Sequence, residues 1–192
     1  LEEVLDISLQ DENETNRLHS QALARIGESY YEQNPAEAEN RRKALEYGDR
    51  ALEKNPANWE GHFIRGKVLH DEQRFAEAIE AFSRATGNNP RSASAFYNLG
   101  NAQFRAGRFE EARRSYEQAV SIQPEYPNAY FNLGITNLQL RSESRALDAF
   151  RSAVQVDSRD DRAHCRIGMI LFGRDELGGA IDAFSRALDR KP

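Results

Sequence analysis

The sequence predicts an all-α protein, a solenoid of antiparallel helix pairs stacked one after another. Three observations lead there. Five registers repeat every 34 residues. Pro56, Pro90, Pro124 and Pro192 share one grid, whose missing member is Ser158, and Gly66, Gly100, Gly134 and Gly168 share a second. Alanines hold two more, from Ala44 to Ala180 and from Ala51 to Ala187, and Phe82, Tyr116, Phe150 and Phe184 form the fifth. Within one period the apolar residues fall into two helical stripes. One such pair cannot cover its own apolar faces, so neighbouring pairs must stack.

The stretch from Ala93 to Tyr126 shows the unit at its clearest, with the run YNLGNAQFRAGRFEEARRSYEQAVSIQP. Phe96, Leu99, Gly100 and Gln103–Phe104 make the first stripe; Phe109, Ala112, Tyr116, Ala119 and Val120 make the second. Gly107 falls between them, where a left-handed turn residue is useful. Pro124 stops the second helix. Small residues at the Gly100, Ala112 and Ala119 registers let the helix backbones approach, and the aromatic at Tyr116 fills the space left over. In its length, its small–small–aromatic–small order and its terminal proline, this unit resembles the tetratricopeptide repeat. The resemblance covers about nine-tenths of the chain as five repeats: 20–58, 59–92, 93–126, 127–160 and 161–192. It implies a right-handed superhelix with the first helix of each pair on a concave face.

Taken in order, the elements begin with an acidic lead-in. Residues 1–19 hold six acids and one base, a charge of −5, so the rest of the chain balances to zero. That density predicts a solvated, partly disordered segment. Leu1, Val4, Leu5 and Leu9 nevertheless have near-helical spacing, and a short helix capping the first repeat is the alternative. Repeat 1 carries Ile26–Gly27 and Tyr30–Tyr31, but Gly27 and Gly66 stand 39 residues apart instead of 34. The five extra residues are expected near Asn34–Asn40, lengthening the hairpin corner or adding a turn to the second helix. Repeat 2 has Arg65 where the family places leucine, and repeat 4 has Ser142 and Glu143 near its corner. Repeat 5 runs to Pro192 without a solvating last helix, which would leave Ile181, Phe184 and Leu188 short of cover. Further protein beyond Pro192, or a partner, is expected there.

Composition excludes several classes of function. At 39% hydrophobic residues the chain is too apolar for intrinsic disorder. No run approaches the ~18 apolar residues that span a membrane. A repeat body without net positive charge is a poor binder of nucleic acid, where phosphate neutralisation dominates affinity. The single cysteine, Cys165, rules out an internal disulfide framework and a thiolate-rich zinc site. The first residue is Leu1, so a fragment or a processed product is expected. The compartment stays open between cytoplasmic, slightly favoured, and periplasmic or anchored.

The sequence carries no phosphate loop, nucleophile elbow or paired-histidine zinc motif, and no cofactor is implied. Gly178–Gly179 lies inside the start of a second helix with no strand before it. His62 and His164 occupy equivalent positions in repeats 2 and 5 and are read as packing residues. His164 and Cys165 are helix neighbours, which do not face one another, so they are no nucleophile–base pair. Cys165 is read as a small packing residue on the inner face.

The family resemblance places ligands on the first helices. The inward positions include Tyr31, Lys67 and His70 in the first two repeats. Tyr97, Asn98, Asn101 and Phe104 follow in repeat 3, and Asn128, Phe131 and Asn132 in repeat 4. Repeat 5 supplies Arg162, Cys165, Arg166, Met169 and Phe172. Amides can pair with a peptide backbone, aromatics can take apolar side chains and arginines can take carboxylates. A sharper resemblance is to the carboxylate clamp of co-chaperone tetratricopeptide domains, which hold the C-terminus of a chaperone. That clamp uses Lys and Asn one turn apart, an Asn in the next repeat, then Lys and Arg one turn apart. The matching positions are Tyr97 and Asn101, then Asn132, then Arg162 and Arg166, with Tyr97 standing where lysine is expected.

Three functional readings follow. The leading one is a non-catalytic scaffold that binds a protein or peptide segment, of which an acidic or C-terminal carboxylate segment is one kind. In the second, the repeats recruit substrate for a larger enzyme, as resemblance to peptide-modifying glycosyltransferases allows, with Asn98 and Asn132 as rungs of an asparagine ladder. In the third, the chain stacks end to end with copies of itself.

Overall fold

Apolar spacing starts each helix of this chain, and a repeated set of caps and turns ends it. The computed structural model describes residues 2–188, with side chains from residue 11 onward. Among the described residues there are ten helices and no strand. They are α1 (Glu2–Gln33), α2 (Ala38–Lys54), α3 (Trp59–Asp71), α4 (Phe75–Asn88), α5 (Ala93–Arg105), α6 (Phe109–Ile122), α7 (Pro127–Gln139), α8 (Glu143–Val156), α9 (Asp161–Gly173) and α10 (Leu177–Leu188). Odd and even helices are the first and second members of five sequential pairs. The chain divides into two compact units, one up to Ala102 and one from Gln103 onward.

In the first unit the lead-in differs from expectation. Residues 2–19 are neither disordered nor a separate short helix; they belong to α1, continuous with the first helix of repeat 1. No proline or glycine interrupts the sequence before Gly27, and Glu14 pairs with Arg17 at 3.3 Å across one turn. The side chains of Leu1, Val4, Leu5 and Leu9 lie outside the described residues. The five extra residues of repeat 1 are shared out, and both expected sites take some. Measured from Gly27 and Gly66, α1 ends one residue later than α3, and the corner 34–37 is one residue longer than the corner 72–74. The other three begin α2 almost a turn early, making it 17 residues long where α4 has 14. The apolar centre of this unit holds Ala44 and Ala51 against Ile64 and Val68, and Phe82 against Phe63 and Leu99.

The second unit buries Ala146, Phe150 and Ala153 of α8 with Ala163, Ile167 and Ile170 of α9. Its closest approach is at Gly134 on α7. A Cβ there would stand 2.5 Å from the Phe150 ring, whose side chain is fully buried. The same contact recurs between Gly168 and Phe184 here, and between Gly66 and Phe82 in the first unit. A bare backbone on the first helix is what lets the aromatic of the second helix lie flat against it.

Four of the first helices, α3, α5, α7 and α9, also stop in one way. Gln73, Gly107, Arg141 and Asp175, 34 residues apart, all have φ between 54° and 76°. The residue after each donates its N–H to a carbonyl five residues back, as Arg108 does to Gln103 at 2.8 Å and Ser142 to Asn137 at 2.8 Å. This is the Schellman ending, and only one of its four left-handed positions carries the glycine that suits it.

Candidate functional site

The side chains that a partner can reach on the first helices of the second unit are set by α7 and α9. Asp160 caps α9: its Oδ1 accepts the N–H of Ala163 at 3.2 Å, and its side chain is buried. The same carboxylate takes Arg162 in a two-point contact, Nε to Oδ1 at 3.1 Å and Nη2 to Oδ2 at 2.9 Å. Burial raises the Asp160 pKa, but the guanidinium and the backbone N–H of Ala163 outweigh it, so the carboxyl titrates below its usual range. Arg162 also donates from Nη2 to Asn128 Oδ1 at 2.9 Å and lies 4.7 Å above the Phe131 ring. Phe131 in turn leans on buried Phe150, ring centres 5.5 Å apart. Arg162 is therefore fixed by three groups, Asp160, Asn128 and Phe131, and its planar fork is already oriented.

One turn further along α9, Arg166 is exposed and makes no ion pair among the described residues. Its Nη1 lies 3.9 Å from the Met169 sulfur, a weak contact. Met169 is 54% exposed and Phe172 64% exposed, so the cation ends an apolar strip. Cys165 is exposed on this same face. Its expected role as a packing residue is not met, because it shares the open stripe of Met169 and Phe172 at helical spacing.

The sequence-chosen residues divide into those this face brings together and those it does not. Asn128, Phe131, Arg162 and Arg166 share it. Asn132, half-buried, is on α7 one residue beyond Phe131. Phe104, in the same unit, packs edge-on against Phe109 at 5.3 Å and so closes its own hairpin corner. Tyr97, Asn98 and Asn101 belong to the first unit; all three are half-buried, and Asn98 donates to Ser94 O of its own helix at 2.8 Å. One group at this face escaped the sequence reading. Asp160 sits on a capping grid with Asn58 and Ser92, each accepting the N–H three residues on, and that 34-residue spacing could have revealed it. In the first unit, Lys67 lies 4.1 Å from the Tyr31 ring, whose hydroxyl donates to Asp71 Oδ2 at 2.6 Å. Burial lowers the Lys67 pKa against the pull of Glu28, Glu32 and Asp71.

The two equivalent histidines are structural, as read. His62 Nε2 lies 2.9 Å from Pro56 O and His164 Nε2 lies 3.0 Å from Ser158 O. A carbonyl only accepts, so each Nε2 carries the hydrogen and pins the preceding corner to the helix. Among the described residues no three His, Cys, Asp or Glu side chains are grouped to hold a metal, and no helix is long and apolar enough to cross a membrane.

With pairs, caps and repeated glycine–aromatic contacts in place, comparison with known families decides the identity. One tetratricopeptide repeat family model matches residues 97–161 and 144–192, and a second matches 64–125. The chain belongs to the tetratricopeptide repeat family. No curated protein matches its sequence significantly. Solved structures of the same fold are similar over most of their length. A crystal structure of MamA is 24% identical, with a TM-score of 0.77, over 85% of this chain and 93% of that one. PilF of Pseudomonas aeruginosa is 20% identical, with a TM-score of 0.78, over 94% and 78%. YrrB, a tetratricopeptide protein with an unusual peptide-binding site, is 20% identical, with a TM-score of 0.67, over 86% and 92%. At these identities the likeness is one of fold.

Proposed function

We propose that this tetratricopeptide chain is a non-catalytic scaffold that binds an acidic or carboxylate-ending peptide segment on the first-helix face of α7 and α9. The observation that carries the reading is the state of the two arginines. Arg162 is locked by Asp160, Asn128 and Phe131, while Arg166, one turn away, has no carboxylate partner among the described residues. A peptide carboxylate supplies that missing partner. Met169 and Phe172 then take the apolar side chains that precede it. YrrB, a protein of the same fold with an unusual peptide-binding site, supports a peptide as the ligand.

The test uses a peptide selected from a random library with free C-termini, titrated against the wild-type chain and Arg166→Ala. A hydrogen bond to a charged group is worth about 1.5–3 kcal/mol, so Arg166→Ala should weaken binding by roughly ten- to a hundredfold. Amidating the peptide should weaken it comparably. Unchanged affinity in both arms removes the carboxylate reading. If Phe131→Ala is silent as well, this face is not the site.

A further inference from the structure

Arg65 stands where the repeats that follow it carry an aliphatic residue. Its counterparts at the 34-residue spacing, Leu99, Leu133 and Ile167, are buried, none more than 9% exposed. Ile167 lies in one apolar cluster with Ala146, Phe150 and Ala153 of the preceding second helix. Arg65 instead turns outward: its side chain is 47% exposed and gives one nitrogen to Asp49 of α2 at 3.2 Å. A cavity of about 630 Å³ opens beside it, between α2, α3 and α4, with Leu52, Leu69 and Ala81 as apolar wall. That is the size of a small-molecule site.

The second unit supplies an internal control. Two repeats on, a cavity of about 500 Å³ is lined by Pro124, Tyr130 and Val156, the counterparts of Pro56, His62 and Asn88. Its lining stops short of buried Leu133, and of Asn137 and Ala149, which answer to Leu69 and Ala81. With leucine at the register the hollow stays at the helix ends; with arginine there it runs on between the helices. A side chain withdrawn from a close-packed contact leaves a void that its neighbours fill only in part.

We propose that this cavity binds a small aliphatic carboxylate, its branched chain against Leu52, Leu69 and Ala81 and its carboxylate on Arg65. The apolar wall lacks the one aliphatic side chain that the other repeats place there, which sets the body of the ligand. Charge sets its head. The two carboxylates on the lining are already answered: Arg74 grips Glu77 through two nitrogens at 2.8 and 2.7 Å, and Glu80 accepts from Arg84 at 2.6 Å. The Arg65–Asp49 pair is a single contact between half-exposed side chains, and such a pair costs little to exchange. At buried His62, burial is the main cause of the lowered pKa, and among charged neighbours Arg84 and Arg65 dominate, pushing the same way. The field inside the cavity therefore favours an anion. None of these residues lies on α7 or α9, so the site stands or falls apart from the peptide face.

The probe is isocaproate, which is leucine without its amino group, titrated into the full chain and followed by backbone amide NMR. Its uncharged amide, isocaproamide, is the second probe. Isocaproate should give saturable shifts confined to α2, α3 and α4, and the amide should bind about tenfold more weakly, because it forgoes the charge-assisted bond to Arg65. Arg65→Ala keeps the cavity and removes the guanidinium, so it should bind the two probes alike. Arg65→Leu restores the residue of the other repeats. It should lose both probes while its thermal midpoint rises, which separates a filled cavity from an unfolded chain. Equal affinity of the wild type for both probes overturns the inference, as does undiminished binding by Arg65→Leu or a preference for the carboxylate that survives in Arg65→Ala. Shifts confined to α7 and α9, or no saturable shift at all, overturn it as well.

Discussion

Gly134 shows how one absent carbon sets the spacing of a helix pair. The nearest Phe150 atom would be 2.5 Å from a Cβ, far inside van der Waals contact. Gly134→Ala should gain about 1 kcal/mol in helix propensity and lose more to overpacking, which costs typically about 1–3 kcal/mol and more where neighbours cannot yield. Urea unfolding should therefore show net destabilisation; equal or higher stability would mean that the ring moves aside freely. His62 carries a different consequence. Burial, helped by the positive charges of Arg84 and Arg65, holds its pKa below the ordinary histidine value, against the raising effect of the Pro56 bond. The unfolded chain then takes up a proton more readily than the folded one, so stability is full above about pH 6.5 and declines as pH falls below it. His62→Gln, which cannot titrate, should flatten the part of the thermal midpoint's acid dependence that His62 supplies. An identical slope in both proteins would contradict the assignment.

At the scale of elements, the ending of the first helix is the point at which sequence and structure part most instructively. Gly107 marked one left-handed turn in the sequence, yet the same backbone recurs at Gln73, Arg141 and Asp175. Glutamine and arginine give no sign of it, because the surrounding Schellman hydrogen bonds impose the conformation on whatever residue stands there. An L-residue in that region costs about 1–2 kcal/mol, of which glycine returns part through its looser unfolded chain. Gln73→Gly and Arg141→Gly should each stabilise by about 0.5–1 kcal/mol, measured by the urea midpoint. A loss of stability would show that those side chains contribute contacts worth more than the strain. The helix pairs themselves were legible, since buried alanine and aromatic registers leave a periodic trace. Of the lead-in, the solvated character was legible, since residues 11–19 are mostly exposed, but the helix was not: an uninterrupted helix-forming sequence let α1 begin at Glu2.

For the molecule as a whole, the repeat grid located the face on which to look but not the state of its side chains. Arg162 and Arg166 read as an equivalent pair in sequence. In the structure one is held by Asp160, Asn128 and Phe131, and the other makes no ion pair among the described residues and lies against the Met169 thioether. That difference depends on a capping carboxylate two residues away and on a side chain 34 residues earlier, so only the folded arrangement exposes it. The central claim is that partner segments are taken by the first helices and not by the second. Amide hydrogen exchange, with and without the library-selected carboxylate peptide, tests it most directly. The account predicts slowed exchange in Pro127–Gln139 and Asp161–Gly173, with α8 and α10 unchanged. Slowing confined to α8 and α10, with α7 and α9 unaffected, would contradict it.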